Sequence, residues 1–127
     1  MKRFWKWIVP TTVILVVLML LRFVLFIGYV PTESMEPTIY KGSYVIGSRL
    51  FGELKVGDII VFEHEGKPLV KRIAAVGGDV VEHNGQRLTV PEGYFYVLGD
   101  NTQSSFDSRY WKDPFVQSEN LLSVLVI

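Results

Sequence analysis

The chain has 127 residues, room for one membrane segment and one small domain of about 100 residues but not for a second globular domain. The 13 basic and 13 acidic side chains balance, yet Lys2, Arg3, Lys6 and Arg22 precede residue 29 while 13 acidic and 9 basic side chains follow it, which argues against a nucleic-acid partner. The absence of cysteine excludes a disulfide framework, a cysteine-ligated metal and a cysteine nucleophile.

The first predicted element is an apolar run over 8–27, unbroken from Val13 to Leu21. At ~1.5 Å per residue it spans a hydrocarbon layer of ~30 Å, so it reads as a transmembrane helix. Pro10, Thr11 and Thr12 fall near its start, where a missing donor is tolerated. Arg22 near the far end can snorkel to the interface. Lys2, Arg3 and Lys6 before the span, with Trp5 and Trp7 suited to an interfacial belt, predict a cytoplasmic tail over 1–7. The single-pass anchor then occupies 8–28, and 29–127 lies on the extracytoplasmic face of the cell membrane. Gly28-Tyr29-Val30-Pro31 is a poor match to the small residues of a leader-cleavage site, so the span reads as retained.

Beyond Val30 the apolar residues come in short runs rich in Val, Ile, Tyr and Phe, broken by glycine-containing turns, with no sustained helical period. Strands are expected at 43–49, 58–63, 69–76, 79–82, 87–90, 94–98 and 121–126. Asn84-Gly85 is a two-residue hairpin signal, because both residues accept positive φ. The fold class is therefore mainly β: one N-terminal membrane helix followed by a compact antiparallel domain, closed or partly closed. His64 and His83 both fall in turn-like segments and are poor candidates for chemistry.

Ser34 stands in Val30-Pro31-Thr32-Glu33-Ser34-Met35-Glu36-Pro37-Thr38, where prolines three residues to either side are expected to hold the segment extended and present the hydroxyl. A serine needs a neighbouring base before it attacks. Lys71 is inside the apolar run Leu69-Val70-Lys71-Arg72-Ile73-Ala74-Ala75-Val76 and shares a strand face with Leu69, Ile73 and Ala75, whereas Arg72 shares the other with Val70, Ala74 and Val76. One of these cations must accompany apolar neighbours. A lysine at its ordinary pKa of ~10.4 is neutral in only about one molecule in two thousand at pH 7. Lowering that pKa to about 8 takes roughly 3 kcal/mol, within the reach of desolvation.

Four stretches then carry a family resemblance, in order. Ser34-Met35-Glu36-Pro37-Thr38 is similar to S-M-x-P-T, and Gly57-Asp58-Ile59-Ile60-Val61-Phe62 to the strand motif that follows it. Lys71-Arg72-Ile73 through Gly77-Gly78-Asp79 resembles the base motif, and Gly99-Asp100-Asn101 with Ser105, Asp107, Ser108 and Arg109 resembles G-D-N-x-x-x-S-x-D-S-R. The chain resembles the type I signal peptidases, Ser-Lys membrane endopeptidases that remove signal peptides from exported proteins. The resemblance implies Ser34 as nucleophile and Lys71 as general base, acting through an acyl-enzyme without metal or cofactor. It implies an oxyanion hole from the Thr32 hydroxyl and the Ser34 N–H, Ser105 orienting the lysine, and structural support from Asp100, Asn101, Asp107 and Arg109. The implied partners are the lipid bilayer and secretory preproteins with small residues one and three places before the cut. Such a substrate would lie as an added strand beside Pro68, Leu69, Val70 and Lys71, with Met35 contributing to the pocket. The sequence departs from the family at Tyr110-Trp111-Lys112-Asp113-Pro114, where a glycine is usual, and at Thr102, where an arginine is frequent. Only the short segment 77–92 stands where larger relatives carry an inserted subdomain. Ser34 follows Gly28 by six residues, at most about 20 Å, so the nucleophile is expected to work near the bilayer.

Overall fold

The computed structural model describes residues 2–126. Helix α1 runs Lys2–Val24 and buries none of its side chains against the protein, leaving an apolar surface long enough to cross a membrane. Because it starts at Lys2, Pro10 lies inside the helix rather than in its first turn. Apolar membrane helices tolerate such a proline where nearby hydroxyls and local adjustment satisfy the freed carbonyl. The helix also stops earlier than the apolar run suggests. Leu25–Tyr29 forms strand β1, paired antiparallel with β2 at Tyr44–Ser48, from Leu25 opposite Ser48 to Tyr29 opposite Tyr44. Hydropathy is the same on both sides of Val24, so it carries no mark of this switch. The local cause is a set of competing partners: the Arg49 N–H donates to the Val24 carbonyl at 2.7 Å and Arg49 Nε to that of Leu25 at 3.2 Å.

The remaining strands are β3 (Ile59–His64), β4 (Lys67–Val76), β5 (Val80–His83), β6 (Gln86–Thr89), β7 (Tyr94–Leu98), β8 (Phe115–Gln117) and β9 (Leu121–Leu125). Seven of the nine make one antiparallel sheet in the order β1-β2-β9-β3-β4-β7-β8, and β5 and β6 form a separate hairpin. With β1 and β8 as free edges the sheet is not closed, consistent with the partly closed expectation. Asn84 and Gly85 take positive φ (52° and 77°) in the β5–β6 turn, as expected. Glu65 and Gly66 repeat the device between β3 and β4, with φ of 51° and 78°. The two strands absent from the sequence reading are β1, hidden in the apolar run, and β8, only three residues long.

Central strands are covered on both faces. On β3, Ile60 and Phe62 point into a cluster with Ile73, Phe95, Val97, Trp111 and Val116. Ile59 and, from β4, Val70 pack on the opposite cluster of Val30, Met35, Ile39 and Val45. Burial of this kind is worth about 1.5–3 kcal/mol per large apolar side chain. It also fixes register, since a one-residue slip of β4 would exchange Lys71 with a neighbour from the other face.

Candidate active site

The segment expected to be extended around Ser34 is instead a series of turns. The Glu36 N–H donates to the Glu33 carbonyl at 3.1 Å and the Ile39 N–H to that of Met35 at 2.9 Å. A buried loop cannot leave its backbone groups unpaired, and local turns satisfy them. Met35, with no exposed surface, pins this loop into its cluster and brings Ser34 (6% exposed) to face the sheet.

Alternation along β4 resolves which cation is buried. Lys71, between Leu69 and Ile73, is 4% exposed and sits opposite Ile60 of β3. Its Nζ lies 2.8 Å from Ser34 Oγ, and the Thr32 hydroxyl reaches the same oxygen at 3.3 Å. Desolvation pushes the Lys71 pKa below the ordinary lysine value, against an opposing pull from the Asp107 carboxylate. The site therefore holds a hydroxyl beside an amine biased towards its neutral form, the pairing needed for proton transfer from a nucleophile.

Arg72 points the other way and is fully engaged. Its Nε and Nη2 donate to the two oxygens of Asp100 at 2.9 and 2.8 Å, and its Nη1 donates to the Gly57 carbonyl at 2.7 Å. The Thr38 hydroxyl donates to Asp100 at 2.6 Å. This fork lowers the Asp100 pKa, burial working in the opposite sense. Next to it, the Asn101 N–H donates to the Ser34 carbonyl at 2.9 Å and Asn101 Nδ2 to that of Glu33 at 3.1 Å. Asp100 and Asn101 thus clamp the Ser34 loop to the end of β7. The Arg72–Asp100 pair was not anticipated from sequence, because 28 residues separate the partners and only the register brings them together.

Asp107 has no exposed surface. Its burial opposes ionisation, but bonds from Arg109, the Gly99 N–H, Ser105 and the Arg109 N–H outweigh this and hold its pKa below the usual carboxylate range. The expected Asp107–Arg109 pair is present, with Arg109 Nε 2.9 Å from Oδ1. Ser105 differs from expectation. Its hydroxyl donates to Asp107 at 2.7 Å, and among the described residues no hydrogen bond joins it to Lys71. The carboxylate, charged and a stronger acceptor than an amine pointed elsewhere, takes the proton. Gly99 was quoted in the motif without a role. A Cβ there would overlap Ser105 Oγ and lie 2.6 Å from the Ser34 carbonyl oxygen, so only glycine lets the chain leaving β7 pass between them.

Two features beside Ser34 and Lys71 are open to solvent. Strand β7 pairs with β4 only from Arg72 onward, so residues 67–71 keep an open edge on the side away from β3. Beside that edge is a cavity of about 150 Å³, lined by Thr32, Ser34, Met35, Pro68, Leu69, Val70 and Lys71 together with Val30 and Val45. All five residues expected beside the substrate, Met35, Pro68, Leu69, Val70 and Lys71, are among them. No cluster of three or more His, Cys, Asp or Glu side chains suited to a metal occurs among the described residues.

A family model described as signal peptidase, peptidase S26, matches residues 2–90 and 85–127. The chain is 32% identical over 149 residues to a probable signal peptidase I-1 of Synechocystis, covering 87% of this chain and 74% of that protein. It is 29% identical over 143 residues to the signal peptidase I of Bacillus licheniformis, with coverages of 82% and 77%. Over 90 residues it is 34% identical to the mitochondrial inner membrane protease subunit 1 of Mus musculus, covering 61% of this chain and 54% of that one. With nearly the whole chain matched and the serine, the buried lysine and the open strand edge at one place, the chain belongs to the signal peptidase I family of serine endopeptidases.

Proposed function

We propose that this enzyme removes signal peptides from secretory preproteins through a Ser34–Lys71 dyad and an acyl-enzyme, with α1 as its membrane anchor. The observation that carries the dyad is the 2.8 Å approach of a buried Lys71 Nζ to Ser34 Oγ. Neutral Lys71 takes the hydroxyl proton as Ser34 Oγ attacks the scissile carbonyl. The same proton passes to the departing amine, leaving an ester on Ser34. Lys71, neutral again, deprotonates a water that attacks the ester, and the proton passes on to the departing Ser34 Oγ as the signal peptide is released. The Thr32 hydroxyl and the Ser34 N–H, which has no partner among the described backbone hydrogen bonds, are the donors for the oxyanion. A well-placed donor of this kind contributes about 3 kcal/mol.

The substrate pairs with the open edge at 67–71, and residues one and three places before the cut enter the cavity of about 150 Å³, which accepts small side chains. The Lys2, Arg3 and Lys6 end of the helix faces the cytoplasm and the β domain the opposite side. The test is incubation of a preprotein with the full chain in detergent micelles, read by mass spectrometry. Wild type is expected to cut once, after a small residue, while Ser34→Ala and Lys71→Met leave the preprotein whole and retain the β-sheet circular dichroism of the wild type. Turnover in either folded variant overturns the dyad.

A further inference from the structure

The two faces of β4 lead to different spaces. Val70 packs with Met35 on the side of the small cavity, whereas Leu69 packs against the cluster that contains Trp111. On this second side a groove of about 360 Å³ opens beside Ser34 and Lys71 and runs along Leu69 to Lys67 and His64, with Leu69, Trp111 and Phe106 as its apolar lining beside the polar Glu65, Lys67 and Ser104. The lining is built rather than incidental: Trp111 is 5% exposed, and the His64 ring stacks on it at 3.9 Å with a 16° tilt. Phe106, which also lines the groove, is 67% exposed. The mechanism makes no use of these aromatics.

A peptide that adds to an open strand edge alternates its side chains between the two faces of the sheet, as β4 itself does. Residues one and three before the cut fill the cavity of about 150 Å³, so residue two must point to the face that holds the groove of about 360 Å³. We propose that this aromatic groove is a second specificity subsite, which takes a large apolar side chain at the second residue before the cut. The proposal rests on the peptidase reading above and adds the opposite size preference at neighbouring positions: small where the peptide faces Met35, large where it faces Trp111 and Phe106. Two grooves of unequal size on either side of one strand are what would impose this.

The test uses the full chain in micelles with matched preproteins carrying Ala, Leu or Asp at the second position. Leu is expected to raise kcat/KM about fivefold over Ala, the gain expected from partly burying an isobutyl group, and Asp to lower it. Phe106→Ala, an exposed truncation that leaves the core intact, is expected to shrink the ratio of Leu to Ala kcat/KM to less than about twofold, whatever its rate on the Ala substrate. Equal rates for all three substrates overturn the subsite. So does a Leu gain that survives in Phe106→Ala, or one that follows the first residue after the cut instead. A wild-type chain that leaves the Ala substrate whole overturns the peptidase reading and the subsite with it, whereas a chain that cuts it without regard to the second position overturns the subsite alone.

Discussion

At Lys71 two demands are met by one arrangement: burial between Leu69 and Ile73 disfavours the ammonium, and the same burial brings Nζ to Ser34 Oγ. The nearby Asp107 carboxylate pulls in the opposite sense, yet its charge is largely committed to Arg109, Ser105 and two backbone N–H groups, so desolvation prevails. The sign of the pH dependence follows. A base must be unprotonated to act, so kcat/KM rises with pH through the Lys71 pKa and levels off above it. Because that pKa is lowered, the midpoint falls below the value of an ordinary lysine. A flat profile between pH 6 and 9 for a preprotein in micelles would remove Lys71 from the role. Removing the opposing charge sharpens the assignment, since any residual activity of Asp107→Asn should show its rise at lower pH than wild type. The approach of Lys71 to Ser34 was legible in the sequence through four family-like motifs in order, since neither a lysine in an apolar run nor a serine between prolines marks a site by itself. The partner of Ser105 was not, since hydrogen-bond choice between an amine and a carboxylate depends on distances that no motif encodes.

Between elements, the site is a junction of the Ser34 loop, β4 and the segment that leaves β7. Asn101 holds the Ser34 and Glu33 carbonyls, Asp100 joins Arg72 on β4 to Thr38 on the loop, and Gly99 fits where no side chain can. The backbone contacts are the ones sequence could not supply: the G-D-N stretch was visible as a turn, but its grip on the loop depends on the β4–β7 register, which has a shift between Ile73 and Ala75. The central strands were legible because alternation and β-branched residues mark them, whereas β1 was lost inside a longer apolar run. Gly99→Ala tests the junction. The added methyl must displace either the Ser34 carbonyl or the Ser105 side chain, and a misplacement of about 1 Å at reacting atoms lowers turnover about 100-fold. Steady-state kinetics should therefore show a drop of that order in kcat with KM changed less than about threefold, in a variant that still folds by circular dichroism. A kcat near wild type would mean that the loop tolerates the shift.

For the whole molecule, the proposed anchor and the site are joined by a short connection. Helix α1 ends at Val24, β1 begins at Leu25, and Ser34 follows ten positions after the helix ends, so with α1 as the proposed anchor Ser34 would lie within about 35 Å of the membrane boundary even at full extension. The face of β1 and β2 next to the helix is apolar and exposed at Leu25, Ile27, Tyr29, Tyr44 and Ile46, with the Tyr29 and Tyr44 rings 5.4 Å apart. A signal peptide has an apolar segment of its own, so under the proposed anchoring a preprotein in the same bilayer would present its cleavage site at a similar depth and meet the enzyme in two dimensions rather than three. Tethering of this kind raises the effective concentration without any new contact, by a factor of about 10² to 10⁴ when the geometry permits both ends to engage. In lipid vesicles, kcat/KM for a preprotein should therefore exceed that for a soluble peptide with the same residues around the cut by a factor in this range. In micelles that separate enzyme from substrate the advantage should shrink while kcat stays similar. Equal kcat/KM for tethered and soluble substrates in vesicles would show that the anchor does not deliver substrate to Ser34, and the helix would then serve only to keep the enzyme at the membrane.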